Sequence, residues 1–139
     1  MLTRVLFAIF VLIGTLGAAW AQDTKIVALG LTDRPVTKDE LTGGAELQTP
    51  KFNTPGVAYV LVAHAKKGDA VEVALTKDGK SLMHNVRELE ADEAGLLLLA
   101  GKGGVPAAGW PDGKYAAHVK ITRGGQTIAE QETDPIPFE

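Results

Sequence analysis

Two glycine turns, each following a run with period-two alternation, constrain the fold of this chain most. Asp78-Gly79 follows residues 70–77, and Gly124-Gly125 follows residues 114–123. In both runs an apolar residue recurs at every second position, which is typical of a half-buried β-strand. Asp-Gly and Gly-Gly are strong signals for the tight turn of a β-hairpin. The sequence therefore predicts two hairpins.

Further apolar runs complete an all-β pattern. Strands are predicted at residues 25–32, 56–65, 70–77, 81–90, 95–100, 114–123 and 126–132. Residues 37–55 carry two glycines and two prolines, so they are predicted to form a long surface loop held down by Leu41, Leu47 and Phe52. No segment has a convincing helical pattern, although residues 89–97 would allow a turn or two. About seven short strands at this spacing predict a two-sheet antiparallel sandwich.

Composition and charge exclude several classes of protein. The 139 residues include no cysteine, which excludes a disulfide scaffold, thiolate metal ligation and a cysteine nucleophile. Hydrophobic residues make up 45% and charged residues 22%, as in ordinary globular domains. The formal net charge of −3 and the lack of a basic run argue against nucleic-acid binding. We expect residues 1–21 to be an export signal and residues 22–139 to form the folded domain.

The amino terminus has the secretory pattern. Arg4 is followed by a run of twelve mostly apolar residues at 5–16, and then by small residues that include Ala19 and Ala21. This order of a positive residue, a short apolar stretch and a small-x-small site predicts cleavage after Ala21 and a periplasmic or secreted destination. The alternative is an uncleaved anchor, but a spanning helix needs about 20 apolar residues. After cleavage no membrane span is expected.

Two segments resemble a known family of domains. They are GWPDGKYAAHVKI with the following TRGGQTIAEQ, and FNTPGVAYVLVAHAKKGDAVEVALTKDG. They resemble strands of bacterial periplasmic immunoglobulin-like or fibronectin-type-III-like domains, over roughly residues 50–138. The resemblance implies an immunoglobulin-like sandwich with Tyr115 as a tyrosine corner. Ala117 stands where such domains carry their second cysteine, so there is no inter-sheet disulfide, and residues 70–77 lack the core tryptophan.

Metal-ligating residues are few. Met83 and His84 are adjacent, and a thioether beside an imidazole is a combination that suits copper. Residues adjacent on a strand point to opposite faces, however, and His118 alternates against Tyr115 and Val119 and so faces outward. By strand parity we expect the three histidines of the chain not to share a face. The prediction is that no metal is bound, with Met83, His84 and His118 as the alternative ligands; no other cofactor is indicated.

The carboxylates and Trp110 have simpler interpretations than a site. Glu88, Glu90 and Asp92 would form a solvated acidic edge if that segment were extended, and no calcium-loop motif is present. Ser81 is the only serine and lacks a hydrolase motif. Tyr59, Tyr115 and Phe138 are expected in the core. Trp110 is expected to plug the end of the sandwich, and the alternative is a ligand platform.

These observations predict a function only in outline. The chain is expected to be an exported, non-catalytic immunoglobulin-like module that binds a protein or an envelope component. The alternative is a small periplasmic protein that handles copper through Met83 and His84. No catalytic residue is predicted.

Overall fold

The computed structural model describes residues 23–102 and 105–139, and the predicted export signal with its cleavage site lies outside them. The secondary-structure elements are β1 Lys25–Thr32, α1 Lys38–Thr42, β2 Gly56–Ala65, β3 Ala70–Lys77, β4 Lys80–Glu88, β5 Glu93–Lys102, β6 Tyr115–Arg123 and β7 Gln126–Glu132. No helix in these described ranges is long and apolar enough to cross a membrane.

The seven strands form two antiparallel sheets. One has the order β1-β2-β5, and the other has the order β4-β3-β6-β7. The predicted immunoglobulin-like sandwich of about seven strands is confirmed, and there is no disulfide because the chain has no cysteine. The hairpin turns at Gly79 and Gly125 each have a positive φ, which glycine adopts without steric cost.

Alternating residues of both sheets fill the space between them. Each member of this core is at most 8% exposed: Ala58, Val60, Val62, Ala65, Val71, Val73, Leu75, Leu89, Leu96, Leu98, Ala100, Trp110, Tyr115, Ala117, Val119, Ile121 and Phe138. Predominantly β-branched and leucine side chains suit a pleated inner face, so the same residues that favour strands also supply the hydrophobic stabilisation.

His64 has an unusual backbone conformation near the end of β2. Its φ is 57°, in the left-handed region, while Ala63 and Ala65 on either side keep one register with β5. Val62 and Ala65 both pack in the core although they are three positions apart, so the inward face of β2 changes around His64. His64 is half-buried, and its carbonyl accepts a hydrogen bond of 2.6 Å from Thr24 Oγ1.

The long segment before β2 covers the outer face of the three-stranded sheet. Val57 and Leu61 point away from the core, yet they are only 4% and 5% exposed. Lys38 Nζ donates to the carbonyl of Gly95 at 2.9 Å, and Val36 and Pro50 are buried. The segment is therefore packed onto the sheet.

Four sequence predictions are wrong in detail. The segment from 37 to 55 includes α1, whose start is fixed by a capping box between Thr37 and Glu40. β5 begins at Glu93, two residues before the strand start predicted at 95. Phe52, expected to hold the loop down, is 51% exposed. Tyr59, expected in the core, lies on the outer face opposite Gly30, where an added Cβ would clash with its hydroxyl oxygen.

We expect Thr32→Val to raise the free energy of unfolding by about 1 kcal/mol. Thr32 is fully buried, and its hydroxyl has no hydrogen-bond partner within residues 23–102 and 105–139. Valine keeps the branched shape and removes a buried polar group that gains nothing in return. Urea unfolding of the two proteins measures the change. A loss of stability would contradict the prediction, because it would mean that the hydroxyl is bonded in solution.

Candidate functional site

Tyr115 organises the end of the sandwich at which Trp110 lies. The Tyr115 ring is fully buried, and its hydroxyl donates to the carbonyl of Pro111 at 2.5 Å. The Tyr115 amide donates to the Ile136 carbonyl, and the Ile136 amide donates back at 2.8 Å. The predicted tyrosine corner is thus present, and it ties the chain before β6 to the carboxyl-terminal segment.

Trp110 closes this end. It is 6% exposed, and its indole N–H donates to the Thr54 carbonyl at 2.8 Å. Its ring meets Tyr115 and Phe138 edge-on, with centroids 5.7 Å and 5.5 Å away, while Tyr115 and Phe138 stack at 4.0 Å. A tryptophan held in this way is a plug, since little of its face is available to a ligand.

The exposed aromatic at this end is Phe52, which sequence reasoning did not select as a site. Its side chain packs directly against Gly109. A Cβ atom added at Gly109 would lie 2.8 Å from Phe52 Cδ2. Gly109 has a φ of 81°, so glycine permits both the turn and the close approach. The available signal was an aromatic residue inside a loop rich in glycine and proline, which we interpreted as an inward contact.

Phe52 borders a cleft of about 400 Å³, which we name the Phe52 cleft. Its lining comprises Phe52, Ala108, Trp110, Asp112, Gly113, Pro137, Phe138 and Glu139. A second cleft, of about 410 Å³, lies on the other side of Pro137 and has Lys51 in its wall. Aromatic and proline side chains beside two carboxylates favour a ligand that is apolar with a positive charge.

The metal-ligand candidates do not converge. Met83 pairs with Leu75 and packs against the core, whereas His84 is on the outer face, opposite Ala74. The expectation that Met83 and His84 point apart therefore holds. His118 is also opposite Ala74, from the other side, so His84 and His118 share this face, whereas His64 lies on β2 in the other sheet. The pairing register between strands determines which residues of different strands share a face, and the alternation within one strand does not reveal it.

His118 lies beside a shallow polar groove on this outer face. His118 Nε2 and Glu130 Oε2 are 2.7 Å apart, and Glu132 is directly across from His118. The groove has a volume of about 250 Å³ and includes Ala74 and Lys120 in its lining. In the part of the chain that the structure describes, no three His, Asp or Glu side chains are placed to hold a metal ion.

We expect the protein not to bind zinc or copper with sub-micromolar affinity. Two imidazoles with an intervening strand, and a thioether on the opposite face, supply too few converging ligands. Isothermal titration of both metals into the purified protein measures this. Sub-micromolar binding that His84→Ala abolishes would contradict the prediction and favour the copper-handling alternative.

The acidic residues after β4 are not the extended edge that we expected. β4 ends at Glu88, and the next residue, Leu89, is buried, so the chain turns there. Asp92 accepts a hydrogen bond of 2.8 Å from the Lys67 amide, and Glu93 lies 3.5 Å from Arg87. Asp92 and Glu93 therefore make separate local contacts and do not form one acidic edge.

Comparison of the chain with protein-family models and with curated proteins finds no match. The geometry of the chain itself therefore carries the functional argument.

Proposed function

We propose that this chain is an exported, non-catalytic immunoglobulin-like module, and that it binds a protein or an envelope component through the Phe52 cleft. The observation that carries the proposal is a half-exposed aromatic side chain at the mouth of a cleft at one end of a sandwich. Loops at the ends of such sandwiches commonly bind partners, since the sheets hold them in fixed positions.

The backbone around Phe52 is fixed before any partner arrives. The Trp110 amide donates to the Phe52 carbonyl at 2.8 Å, and the Phe52 amide donates to the Glu139 carbonyl at 3.3 Å. An aromatic anchor on an ordered backbone loses little conformational entropy on binding. Aromatic residues are also frequent among the side chains that dominate interface energies.

A crosslinking experiment in cells tests the proposal. Benzoylphenylalanine placed at position 52 should yield a discrete crosslinked product with one envelope protein after irradiation. The matched control is position 128, because Ile128 is 41% exposed and lies on β7, which contributes no residue to the lining of the cleft. Asp112→Lys should weaken the product at position 52, since it reverses the charge of the cleft. Identical products at both positions, or none at position 52, would contradict the proposal.

Export itself gives a separate prediction. Protein recovered from the periplasm should begin at Gln22, because cleavage after Ala21 satisfies the small-x-small rule. Intact-mass measurement reads the terminus directly. A chain that begins at Met1 in the membrane fraction would show that the segment is retained as an anchor.

The alternative, a periplasmic metal-handling protein, has one observation in its favour. His84 and His118 flank Ala74 on the same outer face. The metal titration described above decides between the two proposals.

A further inference from the structure

The side chains that line the Phe52 cleft can accept hydrogen bonds but have no free donor. The ionisable groups of the lining are the carboxylates of Asp112 and Glu139. Its one side-chain donor, the Trp110 indole N–H, is already bonded to the Thr54 carbonyl at 2.8 Å. In the part of the chain that the structure describes, no lysine, arginine or histidine belongs to this lining. The cleft therefore suits a cationic group that donates hydrogen bonds.

The lysine beside the cleft is already paired. Lys77 passes close to Gly113, where an added Cβ would lie 2.8 Å from Lys77 Cε. Its ammonium nitrogen is 3.1 Å from a carboxylate oxygen of Asp78. Lys51 lines the second cleft and not this one. Among the described residues, neither carboxylate of the Phe52 cleft takes part in an ion pair, so their negative charge is available to a partner.

Phe52 adds an aromatic face beside these carboxylates. One edge of its ring packs on Gly109, since an added Cβ there would lie 2.8 Å from Cδ2 and 3.5 Å from Cε2. The side chain is nevertheless 51% exposed. A cation over an aromatic ring is attracted to its π electrons, and in proteins this cation is more often a guanidinium than an ammonium. A guanidinium is planar and weakly hydrated, so it can stack on the ring and donate to a carboxylate at the same time.

We propose that the Phe52 cleft receives an arginine side chain of a partner protein, which stacks on Phe52 and pairs with Asp112. The inference rests on the proposed function, because it names the group by which the partner is recognised at that same cleft. A volume of about 400 Å³ is in the range of clefts that hold organic groups and is larger than a bare inorganic cation needs. Arginine and aromatic residues are also the side chains that most often dominate interface energies.

Titration with a small arginine compound tests the charge preference of the cleft without the partner. N-acetyl-arginine amide, added to the isotope-labelled protein, should shift the backbone amide NMR signals of Phe52, Gly109 and Asp112. Asp112→Asn should weaken this binding by roughly five-fold, and Phe52→Leu by roughly three-fold. Glu132→Gln and Ile128→Ala on β7 are the matched controls and should leave it unchanged. The same spectra show whether every variant is folded.

A neutral analogue separates charge from shape. N-acetyl-citrulline amide has nearly the size and shape of the arginine compound without its charge, so it should bind much more weakly. Equal shifts with the two compounds, or no shift at the cleft, would overturn the inference. Shifts confined to the outer groove at Glu130 and Glu132 would overturn it as well, because they would place the cation at a different surface.

Crosslinking at position 52 tests whether a partner supplies the arginine. The partner peptide that is joined to benzoylphenylalanine should contain an arginine whose replacement by glutamine removes the product. Replacement by lysine should recover only part of it, since an ammonium group does not stack as a guanidinium does. Asp112→Asn should weaken the product, and Glu132→Gln should not.

The outcomes at position 52 distinguish this inference from the proposed function. A product that neither the arginine replacement nor Asp112→Asn weakens would overturn the inference and leave the proposed function standing. The absence of any product at position 52 would contradict the proposed function, and this inference with it.

Discussion

Tyr115→Ala should lower the free energy of unfolding by about 3–5 kcal/mol, as truncation of a fully buried aromatic generally does. The ring is 0% exposed and touches both Trp110 and Phe138. Its loss removes the central member of a group of three aromatics and also the hydrogen bond to Pro111. Because domains are stable by only about 5–15 kcal/mol, the variant should unfold at a much lower urea concentration.

Two further variants separate the ring from the hydroxyl and from the strand. Tyr115→Phe keeps the ring and should cost about 1 kcal/mol, the usual net value of one hydrogen bond. His118→Ala, on the outward face of the same strand, should lower the free energy of unfolding by no more than about 1 kcal/mol, because the contact of His118 with Glu130 is near the surface. Equal losses for Tyr115→Ala and His118→Ala would show that the inward and outward faces of β6 are assigned wrongly.

Local patterns in the sequence predict the positions of the strands well, but they predict less well which side chains of each strand face the core. The bounds predicted for residues 25–32, 56–65, 70–77 and 126–132 are those of the structure, because turn residues and β-branched runs act locally. In the continuously apolar strand at 56–65, alternation cannot tell the two faces apart. Tyr59 was therefore placed in the core. It lies on the outer face, which is also apolar because the segment before β2 covers it.

The candidate site depended on contacts between distant segments, which one strand's pattern does not contain. Tyr115 was found because the tyrosine corner is a short local motif. Phe52 was missed because its position depends on Gly109 and on the carboxyl-terminal segment. His84 and His118 share a face, and only the pairing of both strands with Ala74 reveals it. By contrast, α1 was readable from its capping box at Thr37 and Glu40.

Arg123→Ala should lower the free energy of unfolding by about 3 kcal/mol, the lower end of the range for breaking one side of a buried ion pair. Asp69 is 0% exposed, and Arg123 donates two hydrogen bonds to its carboxylate, at 2.8 Å and 2.9 Å. Arg123 also donates to Thr24, so it links the start of the described chain to the turn before β3. Among the residues that the structure describes, the variant leaves the buried carboxylate with the Lys66 amide as its one remaining hydrogen-bond partner. We expect a loss of stability at the lower end of that range because the Arg123 side chain is 45% exposed and its charge is partly screened.

Asp69→Asn should lower the free energy of unfolding by less than Arg123→Ala does. A buried neutral amide is less unfavourable than a buried carboxylate that has lost its cationic partner. Lys in place of Arg123 should recover only part of the loss, since a lysine cannot make the two parallel hydrogen bonds of a guanidinium. Urea unfolding at pH 7 ranks the three variants. Arg123→Ala with nearly full stability would contradict the assignment of this pair as a structural contact.

The same pair should make stability depend on pH. The Arg123 hydrogen bonds hold the pKa of the Asp69 carboxyl below its ordinary value, despite the opposing effect of burial. A carboxyl with a lowered native pKa stabilises the fold above its unfolded-state pKa of about 3.9, and this stabilisation is lost as the pH falls through the native pKa. The free energy of unfolding should therefore decline below about pH 4. The pKa values of Glu40 and Asp78 are lowered as well, so other carboxyls contribute to the decline. The contribution of Asp69 is the difference between the native protein and Asp69→Asn, whose decline should be shallower. Parallel profiles would contradict this source of acid sensitivity.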